Sequence, residues 1–159
     1  MELGKLCVSN EAFDIAQQCF DYVISKGKDN FNYQQACTEA ASAQFEKVIR
    51  QQNNTAAELA ELEQKLKNTI KEFGYSQFTT IVIHKLAMLQ GFYLNKAEEA
   101  VAMLNDVIQN PGIDKTRIAE LKLDLGDLLL ITGDVWEASL TYSQVEKAFK
   151  FEPIGQEAK

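Results

Sequence analysis

The sequence predicts an all-α chain of about eight helices, paired into four antiparallel hairpins. Apolar residues recur at spacings of three and four in nearly every segment and almost never alternate at two, the mark of amphipathic helices rather than strands. Glycines and cap residues punctuate these segments at regular places. One spacing of small and large residues also recurs three times along the chain.

The first two helices are expected at residues 1–9 and 11–26, with Gly27 closing the second in a left-handed conformation that only glycine enters cheaply. Asn32 with Gln35 marks the start of a third at 32–51, because a side-chain acceptor three residues before Glu or Gln satisfies the unpaired amides of a first turn. Thr55 with Glu58 marks a fourth at 55–73, closed by Gly74, along which Leu59, Leu62, Leu66 and Ile70 form a coiled-coil-like seam. Asn53, Asn54 and Thr55 read as a glycosylation sequon only by chance of composition.

The fifth helix, 76–93, begins with an ambiguous stretch, since Phe78 to Ile83 holds two threonines and three β-branched aliphatics. No turn interrupts it before Lys85, Leu86, Leu89 and Phe92 continue at helical spacing, and a lone strand would have no partner. Asn95 with Glu98 opens a sixth helix at 96–109, followed by Pro111 and Gly112. The seventh, 115–132, ends where Gly133 and Asp134 make a tight break and a new cap. Asp134 with Glu137 then opens the eighth, 134–150, and Pro153 stands beyond it.

The chain has 159 residues, 46% of them hydrophobic and 25% charged. That is enough to bury about two-thirds of the surface an unfolded chain exposes without a metal or disulfide staple. Sixteen basic against 23 acidic side chains give a net charge of −7. With no stripe of Lys or Arg to neutralise phosphates, nucleic acid is not an expected ligand. Apolar runs such as Leu128 to Ile131 fall far short of the ~18 residues that cross a bilayer, so no membrane insertion is expected. The opening Met-Glu-Leu-Gly-Lys is not a signal peptide.

Cys7, Cys19 and Cys37 lack Cys-x-x-Cys spacing and His84 is the single histidine, so neither a zinc site nor a disulfide framework is expected. The cysteines read as small buried hydrophobes. No nucleophile stands beside a base and no glycine-rich phosphate loop occurs, so the chain reads as non-enzymatic and without cofactor. His84 and Trp136 are expected to pack between helices. The runs Glu58, Glu61, Glu63 and Glu98, Glu99 read as solvated faces supported by i,i+4 pairs with lysines.

The recurring spacing is clearest around Gly126. Leu125 precedes it, Leu129 follows at +3, Ala138 at +12, Tyr142 at +16 and Val145 at +19. Around Gly4 the same offsets give Leu3, Cys7, Ala16, Phe20 and Val23. A third copy centres on Met88, with Ala87, Gly91, Ala100, Leu104 and Val107. Two small residues twelve apart let the backbones of a helical hairpin approach, and the large residue four further on is expected to fill the space between successive hairpins. These residues resemble the tetratricopeptide repeat family, most closely over Leu125 to Val145 and next over Asn10 to Val23, where Phe13 stands at the family's usual aromatic position.

The resemblance implies a right-handed α-solenoid over the single domain 1–159. Its divisions are a partial repeat at 1–28, a long irregular hairpin at 29–75, repeats at 76–114 and 115–152, and the start of a further repeat at 153–159. The copies are unevenly spaced: Met88 to Gly126 is 38 residues and Gly4 to Met88 is 84, against a family period of ~34. The long hairpin absorbs the surplus. The stretch from Gly126 through Glu157 also resembles part of the large multi-repeat members of this family found in Bacteroidetes-type bacteria. Solenoids cover their terminal apolar faces with polar capping helices, and none is evident here, so the expectation is a segment of a longer array whose uncapped ends self-associate.

In such a stack the first helix of each hairpin exposes one stripe on the concave side. Offsets of +1, +4, −3 and −6 from the reference residue fall within about 80° on a helical wheel. They select Asp127, Leu130, Leu123 and Glu120 in one repeat and Leu89, Phe92, Lys85 and Val82 in the other. Apolar anchors with charged rims suit a partner peptide or helix. The alternative is a structural spacer or a homo-oligomerisation segment, with the Leu59 to Ile70 seam as one dimer contact.

Overall fold

The computed structural model describes residues 1–51 and 53–159. Among these the chain is helical throughout, with no strand and nine helices: α1 Glu2–Ser9, α2 Phe13–Ile24, α3 Tyr33–Arg50, α4 Ala56–Phe73, α5 Thr80–Met88, α6 Ala97–Ile108, α7 Lys115–Thr132, α8 Val135–Ala148 and α9 Pro153–Glu157. The β-branched run at Phe78 to Ile83 is a helix start, with the Thr79 hydroxyl accepting the Ser76 N–H at 2.9 Å. Residues Leu89–Tyr93 continue α5 as a π-helical segment, in which the Leu94 N–H reaches back five residues to the Leu89 carbonyl.

Two of the four expected caps form as the spacing implies. Thr55 and Glu58 make a complete capping box, and the Asp134 carboxylate accepts the Glu137 N–H. The other two do not form. Asn32 precedes α3 but makes no side-chain cap, and its own N–H is held by the Asn30 side chain at 2.9 Å, a local turn that competes with the cap. Asn95 lies one residue too early, at φ 54° in the left-handed region, and Lys96 takes the cap position without a side-chain bond. A cap that spacing did not reveal stands at Asp114, whose carboxylate accepts the Arg117 N–H at 2.9 Å. Gly27, Gly74 and Gly133 have positive φ, whereas Gly112 does not and needs no glycine-only conformation.

The chain forms two compact units, Met1–Gly74 and Tyr75–Lys159. In the first, α1 packs on α2, α2 on α3 and α3 on α4. Ala16 and Phe20 are buried with Ala40 and Ala43, so small residues on α3 let α2 approach closely. A Cβ on Gly4 would stand 2.6 Å from the Phe20 ring, so this glycine is what admits the ring against α1. Leu62 and Leu66 are 0% exposed. The centre of the α4 seam thus packs inside the unit, while Leu59 and Ile70 at its ends are half-buried.

In the second unit α5 packs on α6 and α7, α6 on α7, α7 on α8, and α8 on α9. The Gly4 arrangement recurs: a Cβ on Gly126 would collide with the Tyr142 ring, sixteen residues on. In both copies the large residue meets the glycine of its own hairpin, and it also faces the element that follows: Phe20 packs with Ala40 and Ala43 of α3, as expected of a residue between successive hairpins, and Tyr142 packs against the cluster that holds Ala158 at the end of α9.

Trp136 also departs from the sequence reading. It is 81% exposed, because α8 turns Ala138, Thr141 and Val145 inward and Trp136 lies off that face. The three cysteines are free and only partly buried, since each sits at the margin of a packed face.

Candidate functional site

The candidate site lies on α5 and α7, which run side by side in the same direction. Three contacts in register establish this. Gln77 and Asp114 exchange hydrogen bonds at the helix starts, the Asp114 N–H donating to Gln77 Oε1 at 3.1 Å and the Gln77 amide donating to the Asp114 carboxylate. His84 Nδ1 lies 2.7 Å from Asp124 Oδ2 midway. At the far end Leu128 packs on Gly91, where a Cβ would displace its methyl group. His84 therefore couples α5 to α7, a contact between helices as expected.

On α7 the expected stripe is largely accessible. Glu120, Asp127 and Leu130 are exposed and Leu123 is half-buried. Leu123 turns partly toward Ala119, Val145 and Ala158 and packs with Phe149 and Ile154. On α5 half of the expected stripe fails. Val82 and Leu89 are 0% exposed, because α5 is packed from two sides, by α6 and by α7, so two of its faces are core rather than one. Lys85 is half-buried and Phe92 is 48% exposed. The accessible line on α5 is Ile81, Lys85, Met88 and Phe92, at helical spacing and one position from the expected set. The near-continuous apolar run Ile81, Val82, Ile83, Leu86, Ala87, Met88 and Leu89 is the pattern of a helix buried on more than one face, which the choice of a single stripe by offset does not use.

The electrostatics of the stripe are those of a surface held in place. Glu120 pairs with Arg117 at 2.7 Å, both exposed, a pair worth little in stability but one that fixes the carboxylate. Asp127 accepts the Tyr142 hydroxyl at 2.5 Å, and burial, then this carboxylate, pushes the Tyr142 phenol upward. Asp124 is buried behind the stripe; burial raises its carboxyl, and the His84 hydrogen bond and charge oppose that rise.

Sequence reasoning missed the groove beside Asp127 and Leu130. Its volume is about 610 Å³, and Val135, Ser139, Tyr142 and Glu146 of α8 line its other wall, with the end of α9 across one side. The signal was present in Tyr142 and Val145 of the repeat spacing, which fix the orientation of α8. A second groove of about 420 Å³ lies in the first unit, lined by α2, α3 and α4. There Lys47 pairs with Asp14 at 2.5 Å, and Lys65 donates to the Gln44 amide oxygen. Burial holds the Lys65 ammonium below its ordinary range. Among the described residues no group of three or more His, Cys, Asp or Glu is placed to hold a metal, and no helix is long and apolar enough to cross a membrane.

No protein-family model matches the chain, and no curated protein matches it.

Proposed function

We propose that the chain is a non-enzymatic protein-interaction scaffold, a solenoid of tetratricopeptide-like hairpins whose α5 and α7 receive a partner peptide or helix. The observation that carries the repeat reading is the identical use of one spacing, with Gly4 against Phe20 and Gly126 against Tyr142, each pair sixteen residues apart in its own hairpin. The binding face is the line Lys85 and Phe92 on α5 with Glu120, Leu123, Asp127 and Leu130 on α7, joined by Ile81 and Met88. Phe92 and Leu130 supply apolar anchors, and the charged side chains set register. Val82 and Leu89 belong to the core and take no part.

Hydroxyl-radical footprinting tests this whatever the partner is. The chain is labelled in buffer and again in native cell extract. The scaffold reading expects labelling to fall at Phe92, Met88 and Leu130 while Phe151 stays unchanged. Equal labelling at all four positions in both conditions contradicts it.

A further inference from the structure

The second unit is polarised along its helices. Residues 123–143 carry four acidic side chains, Asp124, Asp127, Asp134 and Glu137, and no Lys or Arg. At the start of α7 and the end of α8 both signs of charge meet, Lys115, Arg117, Lys122, Lys147 and Lys150 standing among Asp114, Glu120, Glu146 and Glu152. These fall at one end because α7 and α8 are antiparallel, as the hydrogen bond from Lys122 Nζ to the Gln144 side chain confirms at 2.8 Å.

The opposite end is the α7–α8 turn at Gly133, where Ile131, Val135, Trp136 and Leu140 are all exposed. Tyr93 is exposed at the same end, since the contact between Gly91 and Leu128 sets the ends of α5 and α7 together. Glu98 and Glu99 in the first turn of α6 and Glu137 in the first turn of α8 are exposed at this end as well. Lys96 is the one basic residue among the described residues there, with the two glutamates in the turn after it.

From this we infer that the hairpin tip, which adjoins the α5–α7 stripe at Val135, docks a cationic amphipathic segment of a protein partner, its apolar face on Ile131, Val135 and Trp136 and its Lys or Arg side chains toward Glu98 and Glu137. Apolar area at the centre with one sign of charge at the rim selects a partner of opposite charge and sets its register. An acidic peptide or an anionic membrane would meet repulsion from Glu98, Glu99 and Glu137.

The chain's single tryptophan stands in the patch, so its fluorescence reports occupancy directly. The probe is a tryptophan-free amphipathic peptide of leucine and lysine, with a leucine and glutamate peptide as the charge-reversed control. The proposal expects a saturable blue shift of Trp136 emission with the lysine peptide, weakened by salt, and none with the glutamate peptide. Glu98→Lys with Glu137→Lys should weaken binding by about tenfold or more. Ile131→Ser with Leu140→Ser, which leaves every charge in place, should weaken it as well, with the helical circular dichroism of both variants retained. No shift, or equal binding of both peptides, overturns the proposal, as does an affinity that neither variant changes. A blue shift of the protein alone that grows with its concentration would assign the face to a second copy, and one produced by zwitterionic phosphatidylcholine vesicles would assign it to lipid; each outcome overturns the peptide reading.

Discussion

His84 Nδ1 lies 2.7 Å from Asp124 Oδ2 and ties α5 to α7, with the carboxylate buried and the imidazole at the surface. The pair fixes the spacing of the two helices that carry the proposed binding stripe. Its pH behaviour is opposite in sign to that of the helix caps. Asp124 has a raised folded pKa, so its contribution to stability is present below the ordinary carboxyl value and lost as pH rises through the raised one. Glu58 and Asp114 are held below their ordinary values, chiefly by the backbone N–H of Thr55 and of Arg117 respectively. Their contribution is present at higher pH and lost as pH falls through the lowered values. Thermal melts of Asp124→Asn against the parent should therefore show the variant gaining relative stability as pH rises from about 4 to about 7. A constant difference across that range would show that Asp124 carries no folding-linked proton.

The Gly126 and Tyr142 contact is expected to be strongly non-additive. Gly126→Ala places a methyl group in the tyrosine ring and should cost about 1–3 kcal/mol. In a Tyr142→Ala background the ring is gone and the same change should cost much less, giving a coupling of about 1 kcal/mol or more in denaturant unfolding. Gly4→Ala should repeat the effect against Phe20. Additive costs at both positions would remove the shared-packing basis of the repeat.

Leu62→Glu with Leu66→Glu should unfold the first unit rather than split a dimer. Both side chains are fully buried, and an unpaired charge in such a place costs on the order of 4 kcal/mol or more. Loss of helical circular dichroism is the expected reading. A folded variant with a smaller sedimentation coefficient would restore the seam as an interface.

Cap substitutions should separate the two expected caps that form from the two that do not. Thr55→Ala and Asp134→Ala each remove a side-chain bond to a first-turn amide and should cost about 1 kcal/mol. Asn32→Ala and Asn95→Ala remove no such bond. A cost at Asn32 equal to those at Thr55 and Asp134, measured by thermal unfolding, would contradict the cap assignments; at Asn95 the left-handed backbone adds its own cost to an alanine.

These positions also show where the sequence was readable. The helical period, the two working caps and the glycine and ring pairs are local, set by residues within one hairpin, and the pattern places them. What it misses depends on neighbours distant in sequence. Val82 and Leu89 are core because α7 covers a second face of α5, and Trp136 is exposed because the inward face of α8 is carried by Ala138, Thr141 and Val145. Asn95 fails as a cap because the π-helical segment before it lengthens the turn and takes it into the left-handed region.

The most direct test of the scaffold is affinity capture from native cell extract by the parent chain and by Phe92→Glu with Leu130→Glu. Both residues are 48% exposed, so the variant should keep its helical circular dichroism, whereas Leu123 is too engaged with α8 and α9 for a clean substitution. A scaffold that binds through this stripe should yield a protein retained by the parent and lost by the folded variant. Retention of the same proteins by both forms would contradict the binding stripe and leave the segment a spacer between other parts of a longer assembly.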